Sequence, residues 1–183
     1  FYGLAKLSAA GIPTIAVLHG LSTAGGAYQP GMSDYVIGVK KNGMAALAGP
    51  ALLKAATGEI AKNEELGGSE MHSKVTGLVE YLADDDAHAI EIVRDLINKI
   101  DWNSKILKRE SIKFQEPIYD CEEIIGVVPI DYKIPYDVRE LIARIVDGSD
   151  FMDFKPQYGV STVCVHTKIN GYACGIIGNN GPI

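Results

Sequence analysis

The chain has 183 residues, 47% of them hydrophobic and 22% charged, with a formal net charge of -6. That length and balance fit one globular domain, or one domain and part of another, and no apolar run is long enough to span a membrane. The acidic balance argues against nucleic acid, whose binding needs clustered Lys and Arg.

Phe1 to Ala10 reads as a helix with Leu4 and Leu7 on one face, ended by Gly11. No signal-peptide pattern precedes it. Pro13 to Leu18 is a buried strand leading to His19-Gly20. Small residues and the pair Gly25-Gly26 then let the backbone turn sharply, and Pro30 suits the first turn of a short helix. Tyr35 to Val39 is a second β-branched run. Lys40 to Gly43 is a solvated turn, and Met44 to Ala48 returns to the core. Gly49-Pro50 breaks the chain before a helix over Ala51 to Ala56, whose only charge is Lys54. Asn63 is placed to cap a short helix ended by Gly67-Gly68. Ser69 to Ser73 resumes the helix, and Gly77 to Tyr81 is a short strand. Asp84-Asp85-Asp86 opens the longest helix, with acids at its positive end. Ile90, Val93, Leu96, Ile97 and Ile100 form its expected buried stripe, and Glu91, Arg94 and Lys99 its wet side. The alternation of helix, short strand, turn and helix argues for α/β.

Residues 103–116 are polar and unpatterned and read as a linker. Residues 117–183 then form a second region. Asp137 to Glu140 is a capping-box pattern, followed by a stripe of Val138, Leu141, Ile142 and Ile145 that ends at Gly148. Thr162 to Ile169 and Tyr172 to Gly178 form a hairpin around Asn170-Gly171. Its geometry puts Cys164 and Cys174 on opposite faces, where they cannot bridge. Three cysteines without a framework fit a reducing compartment. Both ends look cut, so the chain is expected to be a fragment of a longer one.

His19, His72, His88 and His166 show no metal-ligand spacing, and no cysteine pair has zinc spacing. There is neither a Gly-x-Ser-x-Gly elbow nor a phosphate loop. The residues leave two readings of Gly25-Gly26 open, a plain tight turn or a site whose N–H groups hold anionic oxygen. Tyr28 reads as packed or as lining a pocket. Lys54 reads as solvated or as reaching a phosphate. His72 reads as a hydrogen-bonded residue or as part of a ligand loop.

Five ordered blocks add a resemblance. The blocks Ala24 to Asp34, Ala48 to Glu59, Leu66 to His72, Asp137 to Ser149 and Gly175 to Gly181 resemble the carboxyltransferase (β) subunits of biotin-dependent acyl-CoA carboxylases. The stretch Gly26-Ala27-Tyr28-Gln29-Pro30 leans toward the branch that handles methylcrotonyl-CoA and geranyl-CoA. The resemblance implies a crotonase-like (ClpP-like) α/β fold, with residues 1–102 from a first, acyl-CoA-binding domain and 117–183 from a second, biotin-side domain. It implies Gly25 and Gly26 as catalytic oxyanion donors and Ala27, Tyr28, Lys54, Gly67, Gly68 and His72 as substrate-binding residues, with no metal. It further implies biotin carried on a biotin carboxylase or carrier partner, acyl-CoA as substrate, a dimer-built hexamer, and a bacterial cytoplasmic or mitochondrial matrix location. A hydratase or decarboxylase of the same fold and a non-catalytic scaffold subunit are the alternatives. A hydratase needs a carboxylate pair, and only Asp34 lies close in sequence.

Overall fold

The computed structural model describes residues 1–100, 113–131 and 133–181. The chain divides into two compact units, residues 1–95 and 96–183. Of the expected linker, 103–112 lies outside the described residues.

In the first unit, α1 (Tyr2–Ala9) ends where Gly11 turns left-handed at φ 70. Then come β1 (Ile15–Leu18), β2 (Leu21–Thr23), a 3-10 turn over Ala24–Ala27, and α2 (Tyr28–Gly31). The strands β3 (Tyr35–Val39) and β4 (Met44–Ala46) follow. Next are α3 (Pro50–Thr57), α4 (Asn63–Gly67), α5 (Ser69–Met71) and a π turn over His72–Thr76. The strand β5 (Tyr81–Ala83) leads into α6 (Asp86–Ile100), which runs across the unit boundary. The strands β1, β3 and β5 form a parallel sheet in the order β1-β3-β5, and β2 pairs in parallel with β4. Leu18, Val36, Ala45 and Val79 form a buried cluster against which Ala27 and Leu78 pack.

One close approach fixes how the segment after α4 docks on these strands. A Cβ on Gly67 would stand 2.3 Å from the Ala45 carbonyl oxygen, and one on Gly68 2.7 Å from that of Glu64. On the strand side, a Cβ on Gly38 or Gly43 would run into the Ser69 hydroxyl, at 2.5 and 2.4 Å. Ser69 is buried, and both its N–H and its Oγ–H donate to the Gly43 carbonyl at 2.9 Å. Four glycines thus make room for one serine and two crossings of main chain.

The second unit has a 3-10 turn over Cys121–Glu123, α7 (Ile124–Val127), α8 (Val138–Ile142), β6 (Phe151–Phe154), β7 (Thr162–Ile169) and β8 (Tyr172–Asn179). The three strands make an antiparallel sheet in the order β6-β7-β8. Asn170 and Gly171 both lie at positive φ, as a two-residue hairpin requires. The Asp147 carboxylate accepts their two N–H groups at 2.7 and 2.6 Å, closing the turn. Cys164 sits opposite Ile177 and Cys174 opposite Thr167, on opposite faces, and both are free thiols. Ile142, Val146, Val163 and Val165 form this unit's core.

Several expected element details shift. The strand expected over Gly77 to Tyr81 lies at Tyr81–Ala83, because Gly77 (φ 70) closes the π turn and the Glu80 carboxylate accepts the Val36 N–H at 2.6 Å. Asn63 is the first residue of α4 and not its cap, since the Lys62 N–H is received by Glu65. On α6, Leu96 is buried as expected, but Ile90 and Ile97 are exposed and Ala89 is buried. Lys99 is not solvated but ion-paired with Asp150. The α8 helix stops at Ile142, and the turns after it rotate Val146 inward and leave Ile145 exposed. Asp137 caps α8 as expected, accepting the Arg139 N–H at 3.0 Å.

Gly67→Ala forces main chain apart and is expected to cost about 1–3 kcal/mol in urea unfolding. Gly3→Ala is the control, because nothing lies within 4 Å of its added carbon. His166, half-buried edge-on to Phe154, gives a pH test, because burial holds its imidazole below the ordinary value. The unfolded chain therefore binds a proton that the folded one resists, and this contribution to stability is lost as pH falls through the ordinary histidine value. The drop in urea midpoint from about pH 7.5 to about pH 5.5 should be smaller for His166→Gln than for the parent.

Candidate functional site

The site is built where β1 hands the chain to β2. Thr23 is extended, and Ala24 then takes the left-handed turn at φ 50. The 3-10 turn over Ala24–Ala27 runs without a break into α2. The sharp bend expected of the two glycines is thus made by Ala24, and neither Gly25 nor Gly26 lies at positive φ. What the glycines supply is room. Among the described residues, a Cβ on Gly25 would have only the Phe1 ring within reach, at 4.0 Å, and one on Gly26 only the Ser22 hydroxyl, at 3.2 Å. This is the reverse of Gly67 and Gly68, which are filled by their own fold. Gly25, which neither φ nor close packing demands, leaves its backbone open to close approach from outside, and Gly26 leaves room for the Ser22 hydroxyl.

The flanking residues follow from the same turn. Ala27 is half-buried on the Leu18–Val79 cluster, which anchors the turn to the sheet. Tyr28 is about half exposed, and its ring meets that of Phe1 edge-on, with centroids 5.3 Å apart. Pro30 is buried. The first N–H groups of such a helical start lack acceptors within their own helix, and the helix dipole favours negative charge there.

The strand β4 joins this turn to the second group of expected residues. On one side, Ser22 and Thr23 pair with Ala45 and Ala46. On the other, the Ala45 carbonyl accepts the His72 Nε2–H at 2.7 Å, and Met44 bridges to Gly68. His72 Nδ1 lies 2.8 Å from Thr76 Oγ1. A carbonyl only accepts, so the proton sits on Nε2, and both ring nitrogens are engaged. The structure thus brings Gly25, Gly26, Ala27 and Tyr28 together on one turn and hangs Gly67, Gly68 and His72 on the same strand. Lys54 stands exposed on α3, none of whose residues is buried.

Asp34 is committed elsewhere. Its Oδ2 accepts the Thr14 N–H at 2.7 Å and the Thr14 hydroxyl at 2.9 Å. These bonds lock the starts of β1 and β3, at the opposite end of β1 from the glycine turn. Among the described residues, no group of three or more His, Cys, Asp or Glu side chains is placed to hold a metal.

Compared with known families, the sequence matches the carboxyl transferase domain over residues 1–182. The chain belongs to the carboxyl transferase domain family. Within that family it is 45% identical to the biotin-dependent 3-methylcrotonyl-coenzyme A carboxylase beta1 subunit of Mycobacterium tuberculosis, over 100% of this chain and 34% of that protein. It is 52% identical to the geranyl-CoA carboxylase beta subunit of P. aeruginosa, whose crystal structure it matches over 100% of this chain and 34% of that one, with a TM-score of 0.53. A transcarboxylase 12S structure, described as a hexamer with hydrolysed methylmalonyl-coenzyme A bound, matches at a TM-score of 0.84 and 34% identity. That match covers 98% of this chain and 34% of the 12S chain. The carboxyl transferase domain here therefore spans about a third of the length of these relatives, and the α/β, crotonase-like fold expected from the sequence is the fold it has.

Sequence reasoning missed Ser22, which faces Gly26, and Phe1, which faces Gly25 and Tyr28. Neither belongs to a block with chemical residue types, and only the fold puts them beside the turn. The two kinds of glycine separate in a stability measurement. Gly25→Ala should unfold within about 1 kcal/mol of the parent, as surface substitutions away from special features do. His72→Ala removes the bond to the Ala45 carbonyl and should cost about 1–3 kcal/mol. Urea unfolding of both variants checks the contrast.

Proposed function

We propose that this carboxyl transferase domain holds the thioester of an acyl-CoA at the glycine turn while a carboxyl group is transferred to it from carboxybiotin. One observation carries the reading. Gly25 and Gly26 lie on a largely exposed turn at a helical start, Gly25 with no conformational or packing need of the chain to explain it and Gly26 with only the Ser22 hydroxyl close to its added carbon among the described residues. The open turn, the exposed Tyr28 ring and the Ser22 hydroxyl fit the acyl end of such a substrate. The Gly25 and Gly26 N–H groups donate to the thioester oxygen as the enolate forms. Each such donor contributes roughly 2.7–4 kcal/mol to the transition state, and the dipole of the helical start adds to it.

Ala27 and Tyr28 border the acyl group. Gly67, Gly68 and His72 act through β4, with His72 as a positioning residue, because its ring nitrogens are spent on Ala45 and Thr76. Lys54 is assigned to a CoA phosphate on the strength of its exposed position and the family block around it. Biotin, brought by a carrier domain of a biotin carboxylase partner, supplies the carboxyl group and a basic ureido nitrogen. No side chain of the turn needs to take the substrate proton, which agrees with Asp34 being held by Thr14. That commitment of Asp34 also weighs against a hydratase.

Residues 1–102 then belong to the acyl-CoA domain, 103–116 to a linker, and 117–183 to the biotin-side domain. The whole protein would assemble as a dimer-built hexamer in a bacterial cytoplasm or a mitochondrial matrix. Likeness to the 3-methylcrotonyl-CoA and geranyl-CoA enzymes supports a branched unsaturated acyl-CoA as substrate.

The test is carboxylation by the full-length subunit with its biotin-bearing partner, offered 3-methylcrotonyl-CoA, geranyl-CoA, propionyl-CoA and acetyl-CoA. The parent is expected to prefer one of the first two. Gly26→Val, whose side chain meets Ser22, should lose about a hundredfold or more in kcat. Parent-like turnover by that variant would remove the oxyanion assignment. Preference for propionyl-CoA would remove the branched-substrate assignment alone.

A further inference from the structure

The three parallel strands each end in a polar residue at the same edge of the sheet. His19 follows β1, Lys40 follows β3 and Asp84 follows β5. In open α/β sheets, ligand crevices lie outside this carboxyl edge. The glycine turn emerges from it, with only His19 to Thr23 between β1 and Ala24.

The three acids at the start of α6 are not interchangeable. Asp84 pairs with Lys40 and lies 3.5 Å from His88 Nδ1. The Asp85 carboxylate accepts the His88 N–H at 2.8 Å and so caps the helix. Asp86 alone turns to the first strand, and its Oδ1 lies 2.7 Å from His19 Nδ1. A carboxylate accepts, so Nδ1 carries the proton of this bond.

The link from β1 to the glycine turn is therefore held at three points. The Asn42 amide donates to the His19 carbonyl, the Met44 N–H donates to the Gly20 carbonyl at 3.0 Å, and the His19 ring donates to Asp86. The first two holds come from the turn after β3 and from the first residue of β4. Only the third reaches α6. We infer that His19 is a positioning residue, whose bond to Asp86 fixes the link and thereby the Gly25 and Gly26 N–H groups. An exposed polar pair contributes little to global stability, so its effect falls on geometry. The inference rests on the proposed oxyanion role of the turn.

The experiment uses the full-length subunit with its biotin-bearing partner and two readouts. In steady-state carboxylation, His19→Ala and Asp86→Ala should each lower kcat tenfold or more, with KM for the acyl-CoA within threefold of the parent. The double variant should lose no more than either single, because both remove one bond. His19→Asn, whose amide can still donate to Asp86, should recover most of the rate. Lys40→Ala, which breaks the neighbouring pair, should leave the rate unchanged. In amide hydrogen exchange, residues 19–27 should exchange faster in His19→Ala and not in Lys40→Ala. A loss smaller than tenfold, a loss that asparagine does not restore, or unchanged exchange in His19→Ala overturns the inference. Absence of carboxylation by the parent would overturn the proposed function instead, and the exchange readout would still decide whether His19 holds the turn.

Discussion

Everything in the first unit depends on how closely residues 67–69 approach the strands. Gly67 lies against the Ala45 carbonyl, and Ser69 fits into space left by Gly38 and Gly43. That approach lets Ser69 bond twice to the Gly43 carbonyl and lets His72 reach the Ala45 carbonyl. The strand β4 is thereby fixed from one side. Its other side carries β2, and β2 carries the glycine turn. A steric fact about these three glycines, with no chemistry of its own, locates the turn to which the proposed chemistry is assigned.

Two kinds of glycine meet in this arrangement. Gly67 and Gly68 are glycines because their own chain fills the place of a side chain. Gly25 and Gly26 have no main chain in that place; the Phe1 ring lies 4.0 Å from a Cβ on Gly25, and the Ser22 hydroxyl 3.2 Å from one on Gly26. Backbone donors act on developing charge only if the charged atom can come within hydrogen-bond distance, and a side chain at that point would hold it off. The same turn needs rigid support, because donors that relax contribute less than donors already in place. Ala27 on the core, β2 on β4 and the three holds on His19-Gly20 provide that support.

Much of this was legible in the sequence. The β1 and β3 runs, the turn between them, the Asn170-Gly171 hairpin and the Asp137 cap follow from local patterns, and the structure has them. The opposite faces of Cys164 and Cys174 followed from strand alternation alone. The misses arise where the chain leaves its local pattern or meets partners distant in sequence. Leu96 is buried as its helical stripe expects, yet Ile90 and Ile97 of the same stripe are exposed and Ala89 is buried. Ile145 fits the α8 stripe, yet the helix stops early and Val146 takes the inner place. The left-handed residue of the glycine turn is Ala24, which no propensity argument selects. His72 bonds to the Ala45 carbonyl, twenty-seven residues away, which no local pattern announces. The pairing of His19 with Asp86, sixty-seven residues apart, has no local signature at all.

The most direct measurement is the carbonyl stretch of a bound acyl-CoA, isolated by isotope-edited infrared spectroscopy with a carbon-13 thioester on the full-length subunit. If the Gly25 and Gly26 N–H groups grip the oxygen, the bound carbonyl absorbs at lower frequency than the same thioester in water. In Gly26→Val that displacement shrinks while the CoA portion stays bound. A bound carbonyl with the frequency it has in water, or an equal displacement in parent and variant, would contradict the account.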